Sequence, residues 1–213
     1  MKTLTYIFGY PKSYKTTNLL KAIDELLSSG QLKTSEFIYH DLDKSSKYDS
    51  FKRDYINNYK DDGTVPKDNK IIIIDSIYPL ITSLEKKIVD EFNKNRSEKD
   101  KIISVSEIPY GAGVSKLLSY FRNKIESIDG NLLLISHCKN RDDDTGKTKK
   151  DIFFIQRNIV EYLTIQADTC AFLDKDGVLH FSKNKSMYCG TRMYSPEVKN
   201  ITLKDFLLKL KTI

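Results

Sequence analysis

Gly9-Tyr10-Pro11-Lys12-Ser13-Tyr14-Lys15-Thr16-Thr17 is the stretch that decides the fold, because two different apolar patterns meet there. Before it, residues 2–8 alternate in the way that suits a buried strand. After it, apolar residues follow helical spacing until Gly30, at Leu19, Leu20, Ile23, Leu26 and Leu27. A glycine-started turn with a Lys-Thr pair, set between a strand and a helix, predicts a phosphate-binding loop.

The residues of this turn have the chemistry to hold a nucleotide. Backbone N–H groups at the start of a helix attract phosphate oxygens, and the helix dipole favours negative charge there. Lys15 would reach the β- and γ-phosphates, and the Thr16 hydroxyl would be a Mg²⁺ ligand. We therefore expect ATP and Mg²⁺ as cofactors, with these nucleotide-binding residues: Gly9, Tyr10, Pro11, Lys12, Ser13, Tyr14, Lys15, Thr16 and Thr17.

One position departs from the GxxxxGK[ST] pattern, in which a glycine precedes the lysine. Tyr14 stands at that position here. Glycine allows close backbone approach because it has no Cβ. The loop tolerates Tyr14 if its φ stays negative and its ring points outward, and weakened nucleotide affinity or hydrolysis is the expected cost. The alternative is an ordinary strand-to-helix turn.

A second predicted strand carries an acidic residue to its end. Residues 71–74 are a continuous isoleucine run, typical of a parallel strand covered on both faces, and Asp75 follows directly. Ligands of open parallel sheets bind beyond the carboxyl ends of the strands. We therefore expect Asp75 and Thr16 together at the metal. A buried strand that merely ends in Asp is the alternative.

Strands and helices alternate along the rest of the chain, which predicts an α/β fold with a mostly parallel sheet covered on both faces. The turn Asp174-Lys175-Asp176-Gly177 between two apolar runs predicts a C-terminal antiparallel β-hairpin. Residues 139–151 are very polar and predict a loop. Helical spacing predicts helices over residues 44–60, 80–92, 114–128, 152–163 and 203–210.

Composition restricts the class of protein. The chain of 213 residues is long enough for one substantial domain, and its longest apolar run is too short to cross a bilayer. Three widely spaced cysteines without a CxxC pair predict reduced thiols and a cytoplasmic location. The net charge of +6 is compatible with nucleic acid, and equally with a mixed solvated surface.

Three stretches together resemble RecA-like ATPases. Ile72-Ile73-Ile74-Asp75-Ser76 resembles the strand in which Asp-Ser follows an aliphatic run, and Leu132-Leu133-Leu134-Ile135-Ser136-His137 resembles the later strand that ends in a polar sensor residue. Phe37-Ile38-Tyr39-His40-Asp41 resembles the second strand, which in that family ends in a catalytic Glu. The chain is similar to small phage RecA-like ATPases described as nucleotide-binding or single-strand-annealing recombination proteins.

The resemblance implies a fold and several roles. The fold would be a three-layer RecA-like P-loop NTPase core with a mostly parallel sheet, as a single domain over residues 1–213. The catalytic residues would be Lys15, Asp41 as the group that orients or deprotonates water, and His137 as the γ-phosphate sensor. Asp43 is the alternative to Asp41. The alternative for Asp41 and Asp43 is an ordinary loop carboxylate. The alternative for His137 is a strand-end histidine that is hydrogen-bonded to backbone.

The same resemblance implies contacts to single-stranded DNA and to a second copy of the chain in a ring or filament. Arg192 and Lys185, with Lys183, would act in trans on a neighbour's nucleotide. Phosphate neutralisation by the basic residues after His137 would supply affinity for DNA, and these are Lys139, Arg141, Lys147, Lys149 and Lys150. Surface basic residues without a partner are the alternative for both groups.

Three functions remain open from the sequence. The first is an ATP-hydrolysing protein that acts on DNA in recombination or single-strand annealing. The second is a nucleotide-binding scaffold or regulator with little or no hydrolysis, because Tyr14 and Asp41 both depart from the active pattern. The third is a small-molecule kinase, against which stands the lack of an arginine-rich lid in residues 138–151.

Overall fold

The computed structural model of the chain describes residues 3–41, 71–142, 148–153, 156–181 and 189–213, with the backbone alone for residues 41, 139–142 and 148–153. The strands in these ranges are β1 (Thr3–Gly9), β2 (Phe37–Asp41), β3 (Ile71–Asp75), β4 (Asn131–Asp142), β5 (Thr148–Phe153), β6 (Thr169–Leu173), β7 (Val178–His180), β8 (Gly190–Thr191) and β9 (Asn200–Thr202). The helices of more than one turn are α1 (Lys15–Ser28), α2 (Ile77–Asn93), α3 (Ala112–Glu126), α4 (Arg157–Gln166) and α5 (Leu203–Lys211).

Five parallel strands form the centre of the sheet, in the order β2-β3-β4-β1-β6. Because they are parallel, their carboxyl ends all lie at one end of the sheet, which we call the carboxyl end. The expected α/β fold with a mostly parallel sheet is confirmed. Strands β1, β3 and β6 are buried along their whole length, as the isoleucine run predicts for β3.

Helices cover both faces of this sheet. Helices α1 and α5 pack against one face through leucines and Phe206, and they meet the odd-numbered residues of β1, β2 and β3. Helices α2, α3 and α4 pack against the other face, where the even-numbered residues of β1 and β3 lie. The alternation of a strand therefore sorts its side chains between two separate apolar cores. The result is three layers.

The connections change face between two neighbouring strands of the sheet. The chain leaves β1 through α1 on one face, whereas it reaches β6 after β4 through α4 on the other face. In open α/β sheets, ligands bind in the crevice that opens outside the carboxyl ends of the strands at such a switch point. The crevice of this fold is therefore expected beyond the ends of β1 and β4, where Gly9 and His137 are register partners.

The predicted C-terminal hairpin is confirmed. Strands β6 and β7 pair antiparallel, and Asp174–Gly177 form the turn between them. The Asp174 carboxylate accepts hydrogen bonds from the amides of Asp176 and Val178, both at 2.9 Å, which fixes the turn. Strand β9 then extends the sheet by pairing antiparallel with β7.

The prediction of a polar loop is wrong for residues 139–142 and 148–151, and the helix predicted over residues 152–163 is confirmed only from Arg157 onward. Strand β4 continues to Asp142 and pairs antiparallel with β5, so residues 148–153 are strand, and α4 begins at Arg157. The pairing depends on backbone hydrogen bonds, which polar residues supply as well as apolar ones. Because this arm extends beyond the parallel sheet, its sequence lacks the apolar alternation that marks a strand over a core.

The other helix predictions agree with the structure to within a few residues. Helices α2, α3 and α5 occupy the segments that showed helical spacing, although α2 begins earlier than residue 80. The predicted helix over residues 44–60 lies outside the described residues. No helix in the described part of the chain combines the length and the apolarity that a membrane span needs.

Candidate nucleotide-binding site

The turn that joins β1 to α1 ends in a helix start without a side-chain cap. Helix α1 begins at Lys15, and its N-cap residue Tyr14 makes no side-chain cap hydrogen bond. The first N–H groups of any helix have no acceptor inside that helix. Because tyrosine has no oxygen near enough to the backbone to replace a serine or aspartate cap, an anion is a suitable partner for this helix start.

Tyr14 takes a conformation that the sequence did not predict. Its φ is +56°, in the left-handed region, so the negative φ that is a condition for the loop to tolerate Tyr14 is not found. The turn requires this backbone conformation to pass the chain from the loop into the helix, which is why glycine is usual there. Tyr14 is 61% exposed, which shows that its side chain points outward, as the second part of the condition requires. Lys12, also exposed, shares the left-handed conformation with a φ of +60°.

The Lys15 side chain folds back over the loop. Its ammonium donates hydrogen bonds to the carbonyl oxygens of Gly9 at 3.0 Å and Tyr10 at 2.7 Å, and it lies 3.5 Å from the hydroxyl of Ser13. Lys15 is only 4% exposed. Burying an ammonium group is costly unless charge or hydrogen bonds compensate it. An anion held by the loop would bring the opposite charge to this position.

Gly9, at the end of β1, lies close to the end of β6. A Cβ built on Gly9 would lie 2.6 Å from the carbonyl oxygen of Leu173 and 3.1 Å from Cδ of Lys15. Real Cβ atoms do not approach a backbone oxygen so closely, so only glycine fits without a shift of the backbone. Gly9 therefore lets the loop begin tightly against the end of β6.

Thr16 and Asp75 meet at the carboxyl end of the sheet. The Thr16 hydroxyl donates to Oδ2 of Asp75 at 2.7 Å, and Asp75 is buried. Both groups offer hard oxygen donors, the kind that Mg²⁺ prefers, and Mg²⁺ commonly takes one or two carboxylates together with phosphate oxygens and water. Within the described ranges, no cluster of three or more His, Cys, Asp or Glu side chains could hold a metal by itself. The pair therefore fits a Mg²⁺ ion that arrives with a phosphate.

Two further polar groups next to Asp75 were not singled out from the sequence. The Tyr39 hydroxyl of β2 donates to Oδ2 of Asp75 at 2.8 Å. The Ser76 hydroxyl is fully buried at the N-cap of α2 and has no hydrogen-bond partner among the described residues. A capping hydroxyl often bonds the amide three residues on, but here that residue is Pro79, which has no N–H. Ser76 is thus an additional donor beside the candidate metal ligands.

His137 and Asp41 occupy the same end of the sheet. His137 is half-buried and is the register partner of Gly9 on the neighbouring strand. Asp41 ends β2 in register with Asp75, one strand away, or about 5 Å between backbones. The backbone therefore brings Asp41, Asp75, His137 and the loop together at the carboxyl end. Asp43, the alternative to Asp41, lies outside the described residues.

The other side of the loop is closed by the C-terminal hairpin. The Asn18 amide of α1 donates to the carbonyl of Lys175 at 3.0 Å, in the turn between β6 and β7. His180 holds that turn through a 2.7 Å contact with Asp174. Burial opposes ionisation of Asp174, but hydrogen bonds from His180 and from two amides outweigh it and keep the pKa of this carboxyl below its ordinary value. The hairpin turn thus contacts the first turn of α1 and stabilises it.

Tyr10 also packs toward this side of the loop. Its ring lies 5.1 Å from the ring of Phe172 in an edge-to-face arrangement. Such a contact fixes the loop backbone at its second residue. Ser13 adds a turn, because its amide donates to the carbonyl of Tyr10 at 3.2 Å. Pro11 is exposed and Thr17 is half-buried in the first turn of α1.

Arg192 lies at the opposite end of the sheet from the loop. Its amide donates to the carbonyl of Asp168, just before β6 begins, and its guanidinium donates to the carbonyl of Ile165 at 3.3 Å. Thr169 is in register with Thr5, so Asp168 is level with Leu4, five residue steps or about 17 Å from Gly9. Arg192 therefore cannot reach the loop of its own chain. Lys183 and Lys185 lie outside the described residues.

The basic residues after His137 lie on the hairpin arm formed by the extension of β4 and by β5. Lys139 and Arg141 are in β4, and Lys149 and Lys150 are in β5. Arg141 and Lys149 are register partners. Lys147 lies outside the described residues. The arm continues directly from His137, so it starts at the carboxyl end of the sheet beside the candidate site.

No protein-family model matches this sequence, and no curated protein matches it in a sequence search.

Proposed function

We propose that this chain binds ATP with Mg²⁺ through the turn between β1 and α1, as a single RecA-like P-loop NTPase domain, and that it hydrolyses ATP. The observation that carries the proposal is the grouping at the carboxyl end of the sheet. The buried Lys15 ammonium lies on the loop, and the next residue, Thr16, bonds the strand-end carboxylate of Asp75 at 2.7 Å. Phosphate oxygens and a divalent cation are what this donor set suits.

Each part of the site has a separate task in this proposal. The N–H groups at the start of α1 and the Lys15 ammonium bind the β- and γ-phosphates. Thr16 and Asp75 hold the Mg²⁺, which neutralises charge on those phosphates. Asp41 orients or deprotonates the attacking water, and His137, next to Gly9 on the neighbouring strand, senses the γ-phosphate. In the reaction, the oxygen of water forms a bond to the γ-phosphorus, the bond from that phosphorus to the β–γ bridging oxygen breaks, and ADP, phosphate and the proton of the water are released.

Several features support the RecA-like form of this proposal. The structure has three layers, and a buried aliphatic strand carries Asp75 and Ser76 to the carboxyl end of the sheet. The polar residue at that end of β4, His137, adjoins the strand that leads into the loop. These positions agree with the roles that the sequence resemblance implies.

We further propose single-stranded DNA as a partner of the hairpin arm. The arm carries four basic residues on paired strands, and it continues from His137 at the edge of the site. Lysine and arginine on such an arm would neutralise DNA phosphates and give salt-dependent affinity. A trans-acting Arg192 would require a head-to-tail assembly, because that residue lies at the opposite end of the sheet from the loop.

Binding without turnover is the second candidate. Tyr14 adds an aromatic ring to the loop, and its backbone is in a strained left-handed conformation. Strand β2 ends in Asp41, whereas the corresponding strand of RecA-like proteins ends in a longer glutamate. A chain of this kind would bind ATP without hydrolysing it and act as a nucleotide-dependent scaffold or regulator. Tight binding with no release of phosphate would favour this candidate over the first.

The test of nucleotide binding compares two lysine variants of α1. Lys15→Ala removes the buried ammonium, whereas Lys21→Ala removes an exposed lysine of the same helix. Titration with a fluorescent ATP analogue and Mg²⁺ should show at least a tenfold loss of affinity for Lys15→Ala and unchanged affinity for Lys21→Ala. Phosphate release measured on the same proteins separates the first candidate from the second. Equal affinity in both variants would contradict the proposal.

The test of DNA binding replaces the four basic residues of the arm by alanine. The matched control replaces four exposed lysines elsewhere, Lys21, Lys86, Lys94 and Lys99, so that both proteins lose four positive charges. Binding of a labelled single strand should weaken much more in the arm variant, and its salt dependence should become shallower. If the two variants lose the same affinity, net charge rather than the arm accounts for any binding.

A further inference from the structure

Tyr39 makes an unusual contact for a tyrosine in the middle of a buried strand. It lies in β2, is fully buried, and donates its hydroxyl to Oδ2 of Asp75 at 2.8 Å. A buried phenol needs a hydrogen-bond partner, and here that partner is the carboxylate of a candidate metal ligand. This hydrogen bond joins β2 to the candidate site.

The same carboxylate oxygen accepts two hydrogen bonds. Thr16 donates to Oδ2 of Asp75 at 2.7 Å from α1, and Tyr39 donates to it from β2. A carboxylate that turns about its Cβ–Cγ bond can present its oxygens in many directions. Two donors on rigid elements restrict that rotation, and hydrogen bonds to a carboxylate are stronger than those between neutral groups. The orientation of Asp75 is therefore set by Thr16 and Tyr39 together.

We propose that Tyr39 is a positioning residue for Mg²⁺ binding at Thr16 and Asp75. The inference rests on the proposed function, since it assumes that a cation arrives there with the nucleotide. Hydrogen-bond partners of metal ligands orient those ligands, and their loss commonly lowers metal affinity by about 10- to 100-fold. Tyr39 does not touch the phosphates in this account, so it affects the metal and not the binding of nucleotide without metal.

A second buried tyrosine provides a matched control. Tyr6 in β1 is also fully buried, and its hydroxyl lies 2.7 Å from the Ser136 hydroxyl, a neutral partner. Tyr6 belongs to the core on the α2 side of the sheet, whereas Tyr39 belongs to the core on the α1 side. Tyr6→Phe and Tyr39→Phe each remove one buried hydroxyl and keep the ring. A general effect of losing such a hydroxyl would be common to both variants.

The experiment measures the affinity of each full-length protein for a fluorescent ATP analogue over a series of Mg²⁺ concentrations and in EDTA. For Tyr39→Phe we expect a rise of about tenfold or more in the Mg²⁺ concentration that gives half of the maximal increase in affinity for the ATP analogue. Its affinity in EDTA should stay within about twofold of wild type. Tyr6→Phe should match wild type in both conditions. If Tyr39→Phe does not fold, the pair is compared in a Tyr110→Gly background, because relief of the left-handed φ of +58° in the turn before α3 should raise stability.

The outcomes separate this inference from the function on which it rests. Wild type without Mg²⁺-dependent binding would refute the proposed function and, with it, the role of Tyr39. Wild-type Mg²⁺ dependence in Tyr39→Phe would refute the role of Tyr39 alone. An equal loss of affinity with and without Mg²⁺ would also overturn it, because that result would indicate damage to the loop and not to the metal site.

Discussion

The hydroxyl of Thr16 and the carboxylate of Asp75 lie 2.7 Å apart, although 59 residues separate them in the chain. Thr16 belongs to the first turn of α1, and Asp75 ends β3, two strands away from β1 in the sheet. The hydrogen bond therefore links the loop to a strand that does not pair with β1. A change at either residue should alter the loop and the candidate metal site together.

Asp75→Asn should abolish the effect of Mg²⁺ on nucleotide affinity. The amide oxygen can still accept from Thr16 and Tyr39, so the packing is retained, but the negative charge that attracts the cation is lost. Affinity for ATP in EDTA should be unchanged or slightly higher, because one negative charge near the phosphates is gone. Fluorescence titration with and without Mg²⁺ measures both quantities. Asp24→Asn, on the exposed side of α1, is the control and should behave as wild type.

Gly9→Ala should destabilise the protein by about 1–3 kcal/mol, because the new Cβ overlaps the Leu173 carbonyl and forces the backbone to shift. The same shift moves the loop, so ATP affinity should fall as well. Gly190→Ala is the matched control, since a Cβ built on Gly190 has no atom within 4 Å. Urea unfolding and ATP titration of both variants check the prediction. A stable Gly9→Ala protein with wild-type affinity would show that the loop does not begin at Gly9 as described.

Tyr14→Gly should stabilise the protein by about 1 kcal/mol, because it removes a left-handed tyrosine at φ +56°. Tyr110→Gly should stabilise it by a similar amount, since Tyr110 has a φ of +58° and is fully exposed in a different turn. Only Tyr14→Gly should raise affinity for ATP, because only that ring lies at the loop. Thermal unfolding and ATP titration separate the two effects. A fall in affinity with Tyr14→Gly would mean that the ring itself contacts the nucleotide.

His40 should make stability depend on pH. Burial, with a smaller effect of the Lys124 charge, lowers the pKa of His40 from 6.5 to about 4 in the folded protein. The unfolded chain therefore takes up the proton first as the pH falls, and this destabilises the fold. The loss begins near pH 6.5, is complete near pH 4, and amounts to roughly 3 kcal/mol.

His40→Asn removes this titration. Urea unfolding of wild type and variant at several pH values from 7.5 to 4 gives the difference in unfolding free energy. That difference should shift in favour of the variant as the pH falls through this window, while the carboxylates common to both proteins cancel. A difference that stays constant with pH would show that His40 is not held neutral by burial.

The parallel sheet and the helices that cover it could be predicted from the sequence, because the spacing of apolar residues indicates which face of each strand or helix is buried. The isoleucine run of β3 and the helical spacing in α1 and α3 have that origin. The arm formed by β4 and β5 could not be predicted, because its strands pair through backbone outside the core. A pattern of side chains carries no signal for such pairing.

The residues of the candidate site could be predicted from the sequence, but the contacts between them could not. Lys15, Thr16 and Asp75 follow from residue type and position, and the structure brings them to one end of the sheet. The role of Tyr39 depends on the register between β2 and β3, which the sequence does not state. The position of Arg192 depends on where the chain returns after the hairpin, and β8 pairs at the start of β6, far from the loop.

Calorimetric titration of ATP with Mg²⁺ into the wild-type protein at low salt tests the central claim most directly, namely that the turn between β1 and α1 is an anion cradle. We expect heat from one site per chain, and that heat should disappear in Lys15→Ala while it persists in Lys21→Ala. No heat in the wild-type protein, or the same heat in the Lys15→Ala protein, would contradict the account.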